Sequence, residues 1–192
     1  MFSESRSTQP IATWLVRRTR LPVVRRRCPA CGSDTSEASG KFRVNANGKL
    51  LDVWLLLQCT RCDRTSKATV IERSASIDHN LLRRFEKNDS DLVAEVLLDS
   101  ATARKNHFTL DWEGSWEIIS DPDMPCRQYP CSVRVTFADP IPLRPAQLIA
   151  HGLGVSRSKI KQMIDTRLIE LSGKVGVKTC ATFEFTIMAE GT

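Results

Sequence analysis

Cys28 and Cys31 lie two residues apart in CPAC, and Cys59 and Cys62 repeat that spacing in CTRC, with 27 residues between the pairs. A C-x2-C loop aims two sulfurs at one point. Two such loops supply the four thiolates that a tetrahedral zinc ion takes, so the spacing predicts structural Zn2+ on Cys28, Cys31, Cys59 and Cys62. A catalytic zinc keeps one position open and usually adds His or a carboxylate, whereas four thiolates close the shell. The rival readings are no metal at all and a redox couple, for which a βαβ pattern should surround one pair and none does. Cys126 and Cys131 flank RQYP and, with Cys180, read as small apolar side chains rather than as a second site. His79, His107 and His151 sit in separate segments with no ligand spacing.

The second chemical signal is positive charge. Arg17, Arg18, Arg20, Arg25, Arg26 and Arg27 fall within eleven positions just before the first cysteine pair. They either project into water from alternating strand positions or meet phosphates. Of the net charge of +6, residues 1–74 carry +8, residues 75–139 carry −5 and residues 140–192 carry +3. Two basic ends around an acidic middle suit an anionic partner. Catalysis finds little support: there is no Walker loop, nucleophile elbow, deaminase H-x-E or HExxH. Asp111 and Glu113, two apart on an expected strand, are the one acid–base candidate, and such pairs are common on wet strand faces. No enzyme is expected.

These side chains need elements to hold them. KFRVN (41–45) alternates as a strand, ANG (46–48) is a turn, and LLDVWLLLQC (50–59) reads as a strand returning to the second cysteine pair. KATVIER (67–73) offers a third strand. Two cysteine loops bridged by a hairpin, with that third strand, are the layout of a zinc ribbon. IATWLVRRT (11–19) can be strand or short helix. From Ser76 the apolar period becomes helical, with Asp caps ahead of Leu81 and Phe85 and again, at Asp89 or Ser90, ahead of Leu92, Val93, Val96 and Leu97. FTLDWEGSWEII (108–119) returns to strand with Trp112 and Trp116 on one face, more a core pair than a base-stacking pair, and SVRVTF (132–137) is a further strand.

In LRPAQLIAHGLGVSRSKIKQMIDTRLIELSGKV (143–175) a first helix ends at Gly152 or Gly154, and Ser156 caps a second whose Ile160, Met163 and Ile164 form an apolar stripe. Arg157, Lys159 and Lys161 ride on that helix, Arg167 follows it, and LIEL and SGKV read as strand, turn, strand. Helix-start amides beside cations suit phosphates. This stretch resembles the alpha-L RNA-binding motif, named after the fourth small-subunit ribosomal protein and found in some pseudouridine synthases and tRNA-ligase enzymes. The resemblance implies that Arg157, Lys159, Lys161, Arg167 and Lys174 face RNA phosphates. The chain departs from it in having Lys161 for arginine, no glycine near Thr166–Arg167, and Ser172 for asparagine. Through WLVRRTRLP, GKFRVNANGKLLDVWLL and the cysteine loops, the chain as a whole is similar to a bacterial family of uncharacterised zinc-ribbon proteins, which implies fold and ligands but no activity.

The expectation is an α+β protein of three parts: a zinc ribbon with a basic arm at 1–74, a helical pair with strands at 75–139, and an RNA-motif-like module at 140–192. Its expected role is binding of structured RNA, ribosomal or transfer RNA among the candidates, with Arg25, Arg26 and Arg27 adding a second contact. The alternative is a regulator or adaptor that binds DNA or protein, since VSRSKIKQMI after a glycine turn also resembles a helix-turn-helix entry. No apolar run approaches the roughly 18 residues of a membrane span, and the first ten residues have no apolar leader, so a cytoplasmic setting away from membranes is expected.

Overall fold

The computed structural model describes residues 11–48, 50–120, 129–173 and 175–189. Among them, two five-stranded sheets and five helices form two compact units, Met1–Thr19 with Trp116–Thr192, and Arg20–Ser115. The chain opens on β1 (Ile11–Arg18), a strand rather than a helix, because Trp14 and Val16 are buried at a period of two. It then leaves for the second unit and completes it before returning.

That second unit runs β2 (Val23–Arg25), β3 (Thr35–Asn47), β4 (Leu50–Cys59), β5 (Thr65–Ser74), α1 (His79–Glu86), α2 (Ser90–Leu98), α3 (Ser100–Lys105) and β6 (Thr109–Asp111). Its antiparallel sheet has the order β5-β4-β3-β2-β6. Val53, Leu55 and Leu57 line one face of β4 and join Val24, Phe42 and Ala68 in a core closed by Phe85, Leu92, Val93 and Leu97. The Phe42 and Phe85 rings meet edge to face at 4.9 Å. Asp78 and Asp89 cap α1 and α2 by accepting the amides of Leu81 and Leu92. The second helical stretch breaks at Asp99, which ends α2 and accepts the amide of Thr102 to start α3. Asn106, 8% exposed, brackets Thr69: it accepts that amide and donates to that carbonyl.

The chain returns as β7 (Trp116–Ser120), β8 (Cys131–Phe137), α4 (Pro145–Gly152), α5 (Arg157–Asp165), β9 (Ile169–Leu171) and β10 (Phe183–Ile187). The sheet order is β7-β1-β8-β10-β9, with β1 parallel to β8 and the other pairs antiparallel. Trp14 meets Phe185 edge to face at 5.3 Å, and Gly152 presses so close to the indole that a Cβ there would lie 2.2 Å from it.

Three expectations differ from what forms. The boundaries fall at Thr19 and Ser115, not at 74 and 139, because β1 is taken up between β7 and β8 while the cysteine loops and the acidic helices share one sheet. The 108–119 stretch is broken by Gly114 at φ 66°, so Trp112 and Trp116 belong to different units, each buried at 6% and 8% exposure. Of the expected return strand SGKV, the described residues Ser172, Gly173 and Val175 are not strand, and β9 pairs instead with β10, whose buried Phe185 faces Leu171.

Candidate metal centre and basic surfaces

The first cysteine loop joins β2 to β3 and the second joins β4 to β5, and the register Ser36↔Cys59 brings both to one end of the sheet. The loops are built alike. Cys28 N–H donates to Ser33 O at 2.7 Å and Gly32 N–H to Cys28 O at 3.0 Å; Cys59 N–H donates to Arg64 O at 3.0 Å and Asp63 N–H to Cys59 O at 3.1 Å. The residue after each second cysteine is left-handed, Gly32 at φ 73° and Asp63 at φ 58°, a conformation that glycine and aspartate tolerate best. Thr60 N–H reaches Thr35 O at 3.2 Å, and the Thr35 and Thr60 hydroxyls meet at 2.6 Å, which ties one loop to the other.

All four sulfurs lie within 4.8 Å of one another, with Cys28 Sγ 3.7 Å from Cys62 Sγ and Cys31 Sγ 3.6 Å from Cys59 Sγ. Sulfurs 2.3 Å from a tetrahedral ion stand about 3.8 Å apart, so the four cysteines can bind a metal ion with little movement. The electrostatics agree. Amides of Cys31 and Ala30 pull the Cys28 thiol below its ordinary value, and amides of Arg61 and Cys62 pull Cys59 down to about 6. At Cys62 the Arg64 amide is the largest single influence and lowers the thiol. The hydrogen-bonded thiols of Cys31, Cys59 and Cys28, together with burial, outweigh it and push Cys62 up to about 12. Crowded sulfurs cannot all ionise without a cation among them.

The other cysteines separate. Cys131 is buried at 3% exposure and, against its reading as a simple apolar thiol, is disulfide-bonded; Cys180 is a free, exposed thiol, and Cys126 lies outside the described residues. Among the described residues no further cluster of three or more His, Cys, Asp or Glu is placed to hold a metal ion, and the His151 ring meets that of Trp116 at a tilt of 57°, 4.6 Å between centres.

Of the cations, Arg25 is neutralised: its guanidinium donates to Asp111 at 2.6 Å and pairs with Asp34 at 3.4 Å, and the Asp111 hydrogen bond raises its pKa. Arg26 donates to the carbonyl of Lys67 at 3.0 Å, and Arg27 is exposed. Arg157, Lys159 and Lys161 lie exposed on α5, whose start Ser156 caps by accepting the Lys159 amide at 3.1 Å. At about 100° per residue, Arg157 and Lys161 flank one side of the buried Ile160 and Lys159 the other. Arg167 follows in a left-handed turn at φ 58°, and Lys174 lies outside the described residues. None of these exposed cations of α5 and its turn meets a carboxylate among the described residues.

Two features escape a reading of the spacing. Trp54, on the face of β4 away from the core, holds Lys67 Nζ 4.2 Å from its ring centre and pairs across the sheet with Arg43. Arg64, two residues beyond the second pair, stands beside the sulfur cluster; its signal was a lone arginine in a basic stretch. No helix is long and apolar enough to cross a membrane among the described residues. A family model described as "Protein of unknown function (DUF1062)" matches residues 44–175, which takes in the second cysteine pair and both α4 and α5. No curated protein and no solved structure matches the chain.

Proposed function

The chain belongs to the DUF1062 family of proteins of unknown function, and from that premise we propose that it is a zinc-stabilised protein that binds structured RNA. In this reading zinc occupies the four-cysteine cluster and makes the β2–β5 region a zinc ribbon, since two matched loops with sulfurs at this spacing suit that ion best. The ion does no chemistry; it fixes the ends of four strands.

The observation that carries the RNA reading is α5. Arg157 and Lys161 sit on one flank of a helix whose Ile160 is buried and whose Met163 and Ile164 are half-buried, Arg167 extends the row, and no acid of the described residues quenches them. Shape and phosphate contacts of this kind bind folded RNA in the manner of the alpha-L motif, with Arg27 as a second point of contact. Arg25 drops out, because Asp111 and Asp34 already hold it. The test is a titration of folded RNA against salt, comparing the chain with an R157Q/K161Q variant. Binding should weaken steeply with salt, and the variant should lose about one unit of log–log slope per phosphate contact removed. A salt-independent affinity, or a variant with the parent's slope, refutes it.

The helix pair α4–α5, joined by residues 153–156, also favours a second reading as a DNA-binding helix-turn-helix. Tighter binding to a palindromic duplex than to folded RNA would select it.

A further inference from the structure

Ser36 pairs with Cys59, and Ser66 with Leu57, so all four lie on the core side of the second sheet. At the cysteine end of that side a cavity of about 190 Å³ opens, which no helix residue lines. Arg26, Arg27 and Arg64 line it together with Ser36 and Ser66, and no carboxylate borders it. Among the described residues the Arg27 and Arg64 guanidiniums meet no carboxylate or carbonyl, and the Ser36 and Ser66 hydroxyls have no hydrogen-bond partner. Ser36 is only 4% exposed as a residue.

Neutralising the neighbouring thiolates is the obvious alternative task for these arginines. The geometry speaks against it. The sulfurs pair with one another, Cys28 with Cys62 and Cys31 with Cys59, and among the described residues neither the Arg27 nor the Arg64 guanidinium donates to one. Four thiolates around a divalent ion carry a net charge of minus two, so three guanidiniums still leave the cavity positive.

We propose that this cavity is a binding site for a phosphoryl anion, gripped by Arg27 and Arg64 and hydrogen-bonded at its floor by Ser36 and Ser66. Its volume is below the roughly 300–1,000 Å³ that encloses a drug-sized ligand, so it takes the phosphoryl group and leaves the rest of any larger molecule outside. Free phosphate and the terminal phosphate of a nucleic acid share this chemistry. Every lining residue belongs to Arg20–Ser115 and none to α5, and free phosphate would fill the site even if the chain touched no RNA.

The test uses the metal-loaded full chain in a phosphate-free buffer, with inorganic phosphate titrated by calorimetry. One phosphate should bind per chain, and R27Q/R64Q should weaken it at least tenfold with the metal content unchanged. S36A, which keeps every charge, should weaken it severalfold, and it decides the matter should the double variant not fold. Two oligoribonucleotides of one sequence, with and without a 5′-phosphate, identify the source. A preference for the phosphorylated strand that disappears in R27Q/R64Q assigns a nucleic-acid end, and phosphate binding without that preference assigns the free anion. No saturable phosphate binding, equal binding by the variants, or loss of metal from R27Q/R64Q overturns the proposal.

Discussion

Chelation should convert four protected sulfurs into four reactive ones. If zinc fills the cluster as proposed, it engages Cys28, Cys31, Cys59 and Cys62, whereas Cys180 is an exposed free thiol that should react with or without it. Groups that react in both states cancel, so the difference between chelated and untreated protein should be four thiol equivalents per chain, counted with an aromatic disulfide reagent. The rate should climb with pH, for a structural reason. Cys59, pulled down to about 6 by the amides of Arg61 and Cys62, ionises readily but is only 2% exposed. Cys62 is exposed but pushed up to about 12, so its thiolate is scarce at pH 7 and grows as pH rises. Ionisation and access therefore sit on different residues, and raising the pH from 7 to 9 speeds attack through Cys62. Each single Cys→Ser variant should bind zinc more weakly and titrate its three remaining cluster thiols without chelator. A gain of two equivalents would mean that only one pair holds the ion. A gain of none would mean that no ion is held there.

G152A sets two effects against each other. Relieving a helical glycine gains up to about 1 kcal/mol, but the new Cβ would lie 2.2 Å from the ring of the fully buried Trp14. Overpacking of that kind costs about 1–3 kcal/mol, so urea unfolding should show a net loss of stability, and an equal or more stable variant would show that Trp14 gives way freely. N106A removes the acceptor of the Thr69 amide and two donated hydrogen bonds, to Thr69 O and Thr102 O, and should cost about 1–3 kcal/mol in the same assay; no change would mean that water replaces the amide. In acid, Asp89, held low by the Leu92 amide and Arg84, and Asp99, held low by the Thr102 hydroxyl and amide, contribute stability that is complete above the ordinary carboxylate value of about 3.9 and is lost as pH falls through their lower folded values. Helical circular dichroism followed from pH 5 to pH 2 should fall below about pH 4, and D89N/D99N should remove part of that fall; an unaltered profile in the variant would detach these caps from acid sensitivity.

The cluster was legible because its signal is local and repeated. A C-x2-C followed by Gly32 or Asp63 fixes a loop by itself, and a hairpin of the observed register brings two such loops together. The caps Asp78 and Asp89 were legible for the same reason. What stayed hidden depends on partners far along the chain. The alternation of Trp14 and Val16 announces a strand, but nothing in ten residues says that its neighbours are β7 and β8. Trp112 and Trp116 share a period that Gly114 then breaks, and β9 passes over the adjacent residues for Phe185, whose burial outweighs the nearness of SGKV. The anion cavity was equally hidden, since Ser36, Arg64 and Ser66 meet only once the register of three strands is set.

The placement of β1 imposes an order of assembly during synthesis. Its parallel partner β8 starts about 110 residues later, which a ribosome adding 5–20 residues per second needs roughly 6–20 s to make. By the end of that interval Arg20–Ser115, whose sheet and core are complete in themselves, has been made and can fold. Trp14 and Val16, side chains destined for burial, meanwhile have no strand to pair with until β7 is made. The nascent chain thus carries a finished body behind an unpaired apolar strand, the state in which a chaperone or a neighbouring copy would find it most easily captured.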